Sequence, residues 1–398
     1  MGTTNGCFSR RTFLAGGVSL GALAAVGAEV QPPDSKIEGV PDWAAAEIES
    51  AAKRYEAWKG TDETVAVVVI TDCHSNALYT SDPVGYKDAK MHMPFALACA
   101  DRIGADATVN LGDLYLESPN AKIGAQRLET VRRLHEGRYA SRPLLFCVGN
   151  HDTLGPAGAS KPHGHERNCR FGEALNRPNA AVGHDIRLSA CGSWGFCDFK
   201  AKKFRLFFLN SSDTFYFGFS DEQLQFLCDG LASLGKGWQA AVVLHHCVVA
   251  PIGSWTSWKG DACRNRYEMM KILGDFVFRR KGSAAEGKIT WDFTKLEETS
   301  FAGYFCGDSH FDNQIDLDFV HYTIFQGYGF CPEKERIYGS VYTPFDKEKM
   351  INFDIVAMKP TKREVRLFRV GAGGVARDRG YSYATYPQDR MDRIRRWR

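Results

Sequence analysis

The feature that most constrains this chain is the run at 64–70, where Val65, Ala66, Val67, Val68, Val69 and Ile70 follow one another without a polar residue. A continuous β-branched run, rather than an alternating one, reads as a strand buried on both faces, the hallmark of a sheet covered by helices. Similar runs recur at 107–111, 143–148, 204–210, 240–244 and 301–306. Between them, 93–103, 121–136 and 220–234 carry helical spacing of apolar residues, the last with Ser220 as N-cap and Gln223 completing a capping-box pattern. A helix is expected at 42–58 and another at 267–279, with late strands around 320–325, 350–358 and 364–370. This alternation defines an α/β fold. The stretch 153–179, rich in Gly, Pro, Asn and His, reads as a long loop.

At 398 residues the chain can bury a sizeable core without disulfide staples. Its net charge of +3 argues against a nucleic-acid footprint, and the arginine-rich end at 390–398 reads as a solvated tail. The start is different. Ser9, Arg10, Arg11, Thr12, Phe13 and Leu14 lead into a small-residue apolar stretch to Ala28, too short for a permanent span. The paired arginines with Phe and Leu look like a twin-arginine export signal cleaved after Ala28, implying periplasmic or secreted localisation, the twin-arginine export machinery as a partner and no stable membrane anchor. The expected organisation is a signal at 1–28, a linker and helix at 29–62, one catalytic domain at 63–370 with insertions at 153–200 and 251–300, and a tail at 371–398. Of twelve cysteines, Cys73, Cys147, Cys247 and Cys306 sit in apolar runs and read as core residues, and Cys191 with Cys197 is the best candidate for a local bridge.

The chemistry lies where the strands end. Five of the runs finish in residues able to bind metal: Asp72 and His74; Asp113; Asn150 and His151; His245; Asp308 and His310. In α/β sheets ligands gather at the carboxyl ends of strands. Carboxylates, imidazoles and an amide together suit Mn, Fe, Zn or Mg, and two such ions can clamp the attacking and leaving oxygens of an in-line displacement. Each fragment alone is weak; their ordered recurrence, each behind a strand, is the signal.

Taken together, these residues resemble the calcineurin-like metallophosphoesterase superfamily, whose pattern is D-x-H, G-D, G-N-H-[DE], H and G-H-x-H; the resemblance covers roughly 64–326. It implies a four-layer α/β/β/α sandwich and a dinuclear centre of two divalent metal ions. One ion would take Asp72, His74, Asp113 and His310, and the second Asp113 as bridge with Asn150, His245 and Asp308. A hydroxide between the ions would attack the phosphorus. His151 would stand near the leaving group as general acid or charge stabiliser, with Asp152 orienting its imidazole. One departure stands out: Asp308 occupies a place where the family has His, which makes the second set harder and favours Mn, Fe or Mg over Zn. Either of His245 and His246 could face the metal. Alignment on the strand end favours His245, and the pleat of a strand argues against both doing so.

Among weaker substrate-binding candidates, Tyr115 follows Asp113 by two residues, His163 and His165 lie in the long loop, and His246 adjoins His245. Trp255 and Trp258 could wall a pocket or simply pack an insertion, and Arg369 reads as structural. The function expected is hydrolysis of a phosphomonoester or phosphodiester substrate outside the cytoplasm. The alternatives are a non-catalytic or weakly active binding protein that has kept the fold, and a nuclease of the same fold.

Overall fold

The computed structural model describes residues 40–74, 89–115, 118, 120–152, 154, 165–213, 217–249, 263–310, 312–317, 319–325, 352–371 and 373–384. The export signal, His163, the side chain of His165, Trp255, Trp258 and the arginine-rich tail lie outside them. In the first half, α1 (Asp42–Lys59) leads to β1 (Val65–Ile70), α2 (Ala89–Ile103), β2 (Ala107–Asn110), α3 (Ala121–Leu134) and β3 (Leu144–Phe146). Next come α4 (His165–Phe171), α5 (Arg177–Ala181), β4 (Ile186–Leu188), β5 (Gly195–Phe199), β6 (Phe204–Phe208), α6 (Asp221–Ala232) and β7 (Gln239–Leu244). The second half adds α7 (Arg266–Val277), β8 (Lys281–Ala284), β9 (Ile289–Asp292), β10 (Ser300–Cys306), β11 (Asn313–Leu317), β12 (Val320–Ile324), β13 (Asn352–Lys359), β14 (Glu364–Gly371) and β15 (Arg379–Ser382).

Two large sheets carry the domain. The first runs β15-β14-β13-β1-β2-β3 and the second β11-β12-β10-β7-β6-β5-β4. Strands β1, β2 and β3 are mutually parallel, as are β6, β7, β10 and β12, so their carboxyl ends collect at one edge of each sheet. The pleat sorts the side chains. Ala66, Val68 and Ile70 face a core shared with α1, α2 and α3, while Val65, Val67 and Val69 face the second sheet. On that sheet Ala241 and Val243 complete the middle layer, and Ala240, Val242 and Leu244 pack against α6 and α7. The result is helix, sheet, sheet, helix: the four-layer sandwich that the resemblance implied. It explains why the runs read as uninterrupted apolar segments, since both faces of every central strand are covered.

Several expectations on boundaries change. Helix α1, expected at 42–58 ahead of the domain at 63–370, packs in the main core through Ala44, Ile48, Ala51, Ala52 and Tyr55. Strand β15 pairs with β14 within the stretch assigned to the tail. The segment read as a loop to 179 holds α4, one π-helical turn (Gly172–Asn176) and α5. Its polar composition has a physical purpose. β3 is an edge strand, and Asn176 and Asn179 serve its exposed backbone with their side-chain amides. Phe146 N–H donates to Asn176 Oδ1 at 2.9 Å and Asn176 Nδ2 donates back to Phe146 O at 3.0 Å. Asn179 does the same for Leu144, at 2.8 Å in both directions. Two asparagines thus stand in for a neighbouring strand and close an edge that would otherwise invite pairing. Asn179→Leu should leave a buried N–H and C=O unpaired and lower unfolding stability by about 2–3 kcal/mol, read by urea titration; an unchanged midpoint would mean that other groups satisfy the edge.

All ten cysteines among the described residues are free. Cys191 and Cys197, the best candidates for a local bridge, do not form one, because Cys191 packs on the outer, helical side of the second sheet and Cys197 on its inner side. Among the described residues no helix is long and apolar enough to cross a membrane.

Candidate metal centre

The strands deliver their ligands through sharp turns. Asp72, His74, Asp113, Asp308 and His310 all have positive φ, between 42° and 67°. Non-glycine residues adopt this left-handed region at a cost of about 1–2 kcal/mol each. Five such residues in one place mark a backbone bent to aim side chains. The turns are held by a lattice of backbone bonds: Asp72 N donates to Gly112 O (3.0 Å), His74 N to Asp113 O (2.9 Å) and Gly307 N to His245 O (2.9 Å). A further bond crosses from sheet to sheet, from Asp308 N to Asp72 Oδ2 at 3.0 Å.

Two groups of donor atoms result. In the first, His74 Nε2 lies 3.1 Å from His310 Nε2, His310 Nε2 3.2 Å from Asp72 Oδ1, and His74 Nε2 3.7 Å from Asp113 Oδ2. In the second, His245 Nε2 is 3.3 Å from Asp113 Oδ2, 3.1 Å from Asn150 Oδ1 and 3.8 Å from Asp308 Oδ1. Asp113 Oδ2 faces both groups, and Asp113 Oδ1 accepts from His151 N–H at 2.8 Å. The seven residues expected to ligate metal, Asp72, His74, Asp113, Asn150, His245, Asp308 and His310, are therefore gathered together.

The donor set suits cations. Asp308 Oδ2 is buried and accepts no hydrogen bond, and Asp72 Oδ1, also buried, faces His310 Nε2 at 3.2 Å. Burial drives the His74 imidazole down to about 3, against the pull of Asp113, so the ring is held in its neutral form. Burial would raise Asp113, but His245, His151 and His74 around it hold its carboxyl well below the usual range. The same carboxylates act on His245: burial would lower it, and Asp113, Asp72 and Asp308 lift it to about 10. Asp308 is pushed up to about 7 by burial, with His245 opposing and Asp72 and Asp113 adding to the rise. Carboxylates crowded in a dry site, with imidazole nitrogens turned towards them, are the arrangement a divalent cation relieves.

Other candidates take different places. Asp152, assigned to the His151 imidazole, accepts from the backbone amides of Asp113 (2.9 Å), Leu114 (2.7 Å) and Gly149 (2.8 Å). It staples the end of β2 to the end of β3. Tyr115 is 1% exposed and packs in the helical core beside Phe171, so it does not line an open pocket; the turn at Asp113 swings Leu114 and Tyr115 inward together. His246 turns out to share the second group: its Nε2 is 3.0 Å from Asn150 Oδ1 and 3.7 Å from Asp308 Oδ1. His151 is half-buried, its ring 4.9 Å from that of His74.

Two residues outside the motifs support the site. Arg369, fully buried, donates to Asp312 at 2.7 and 2.9 Å and to Asp354 at 3.1 Å, tying the segment after His310 to β13 and β14. Arg167, on α4, is nearly buried, with Nη2 on Ser212 O at 2.7 Å. Burial lowers it to about 10, while Asp152, Tyr115, Asp213 and Asp113 draw it back up. Its position in a segment read as loop hid it from sequence reasoning.

No protein-family model and no curated protein matches the sequence. Several solved structures align with much of the chain at low identity. A dimetal phosphatase from Danio rerio is 13% identical, with 81% of this chain and 100% of that one aligned at a TM-score of 0.49. A purple acid phosphatase from yellow lupin seeds is 12% identical over 81% of this chain and 53% of its own, at 0.46. GAP50, the anchor in the inner membrane complex of Plasmodium, is 10% identical over 81% of this chain and 90% of its own, at 0.44. Likenesses of this degree leave the chemistry to be argued from the residues.

Proposed function

We propose that this chain is a metal-dependent phosphoester hydrolase of the calcineurin-like metallophosphoesterase type, acting on a phosphomonoester or phosphodiester. The observation that carries the proposal is the convergence of Asp72, His74, Asp113, Asn150, His245, Asp308 and His310 into two donor groups sharing Asp113. Asp72, His74 and His310 would hold one ion, and Asn150, His245 and Asp308 the other. When bound, such ions withdraw charge from phosphoryl oxygens and bring the pKa of water towards neutrality. Mn, Fe or Mg fit the carboxylate-rich second set better than Zn.

The protein's own groups do the rest. The Asp152 staple and the positive-φ turns fix the donors before substrate arrives, so little reorganisation is needed in the transition state. His151, tethered through its backbone to Asp113 and, like His310, less buried than the His74, His245 and His246 rings, would give a proton to the departing alkoxide. His151→Ala should therefore lower kcat about 100-fold on an alkyl phosphate but far less on p-nitrophenyl phosphate, whose leaving group needs no proton, with metal content unchanged. An equal loss on both substrates would remove the acid role.

The activity itself is tested with the mature chain and Mn²⁺, on p-nitrophenyl phosphate and its bis ester. A folded protein that turns over neither with any divalent ion would sink the proposal. Export by the twin-arginine route rests on positions 9–28 alone, and a reporter fused to that segment should reach the periplasm only with Arg10 and Arg11 intact.

A further inference from the structure

We infer that His246 is a ligand of the second metal group, supplying from the turn after β7 the imidazole that position 308 lacks. This rests on the metal-dependent reading above and extends it to a residue outside the motif pattern. The pleat rule, which would turn His246 away from His245, does not reach it: β7 ends at Leu244, and His245 and His246 lie in the bend beyond.

The two rings approach the same two oxygens almost equivalently. From Asn150 Oδ1 the Nε2 atoms are 3.1 Å (His245) and 3.0 Å (His246) away; from Asp308 Oδ1 they are 3.8 and 3.7 Å. Ligands bonded at about 2.1 Å to one ion stand roughly 3 Å or a little more apart, which is the spacing found here. Both rings are wholly buried, at 4.6 Å between centroids and 76° between planes.

Their far sides are anchored. His245 Nδ1 meets Leu111 O at 3.0 Å; a carbonyl only accepts, so Nδ1 carries the hydrogen, and in the neutral ring Nε2 turns its lone pair inward. His246 Nδ1 meets Ser211 Oγ at 2.8 Å, and that same oxygen accepts from His246 N–H at 2.9 Å. Tyr304 holds the His246 carbonyl at 2.7 Å, and Phe217 packs edge-to-face on the ring at 4.4 Å. A role confined to hydrogen bonding would account for the Asn150 contact. It leaves Asp308 Oδ2, buried and accepting nothing, without a reason. An ion between Asp308, Asn150 and both rings satisfies all of them. The family pattern places two imidazoles in this set; here the count is kept, with one moved from 308 to 246.

The experiment is calorimetric titration of the metal-stripped full chain with Mn²⁺, alongside metal analysis. Wild type should bind two ions. His246→Ala, and His246→Gln, which keeps an amide for Asn150 and Ser211, should retain one ion and bind the second about 10-fold or more weakly. Adding Asp308→His to His246→Ala should recover the second ion. Two ions at wild-type affinity in both His246 variants would overturn the inference. So would a second-site loss that Asp308→His does not repair in a variant whose stripped form melts like wild type. A wild-type chain that takes up no Mn²⁺ would instead sink the metal-dependent reading beneath it.

Discussion

Asp113→Asn is expected to lower kcat/KM on p-nitrophenyl phosphate by about 10³-fold or more and to reduce bound metal from two ions to fewer than one. Asp113 is the carboxylate common to both donor groups, 3.7 Å from His74 Nε2 and 3.3 Å from His245 Nε2. Asparagine keeps the shape and the oxygen that receives His151 N–H, but it loses the charge that two cations would share. A bridging carboxylate matters twice, once for each ion, and a bound ion contributes several kcal/mol of transition-state charge stabilisation. At about 1.4 kcal/mol for each factor of ten, the expected loss follows. The measurements are metal analysis and steady-state kinetics on protein whose circular dichroism matches wild type. A folded variant that holds both ions and stays within tenfold of wild-type activity would show that Asp113 is not the bridge.

What could be read from the sequence is what depends on local pattern. The apolar runs announced central strands because both faces of each are covered, and the ligands could be named because residue type alone marks Asp, His and Asn at strand ends. The less visible features depend on how the ends are bent. His246 was judged by the pleat of a strand that stops one residue before His245. Tyr115 was placed in the pocket by proximity in sequence, whereas the positive φ of Asp113 turns the following residues into the core. Asp152 was matched to an imidazole because carboxylates often partner histidines; three backbone amides claim it instead. Asn176 and Asn179 counted as loop composition, yet they finish the edge of β3. The Arg369–Asp312–Asp354 cluster joins residues far apart in the chain, and no local signal announces such a pairing. For Asp152, Asn176 and Asn179 the missing information was which backbone group, distant in sequence, needed a partner.

Gly149→Ala carries the second large effect, and it tests the packing of the strand ends rather than their chemistry. Gly149 precedes Asn150 and His151 and lies against the turn at Asp113. A methyl group there would stand 2.1 Å from Asp113 Oδ1 and 2.3 Å from Asp113 N, and neither atom can yield. The amide is bound by Asp152, and Oδ1 holds His151 N–H. Gly112 faces Gly149 from the other side, where a Cβ would come within 2.7 Å of Gly149 N. The ends of β2 and β3 therefore meet backbone to backbone; at Gly149 glycine is required by distance, not by φ, whereas Gly112, at φ +115°, needs it on both grounds. Overpacking usually costs 1–3 kcal/mol, and with backbone on both sides the expected loss is about 3 kcal/mol. Because a shift of about 1 Å in a positioned group can cost 10²-fold in rate, kcat should fall by about that factor as Asp113 moves. Gly183→Ala is the control: its φ of +86° is unfavourable for alanine, but nothing lies within 4 Å, so it should cost about 1 kcal/mol and leave metal binding intact. Thermal melts, Mn²⁺ titration and kinetics on the two variants separate the cases. If Gly149→Ala matched Gly183→Ala in all three, the close approach of β2 and β3 would not be what holds Asp113 between the two donor groups.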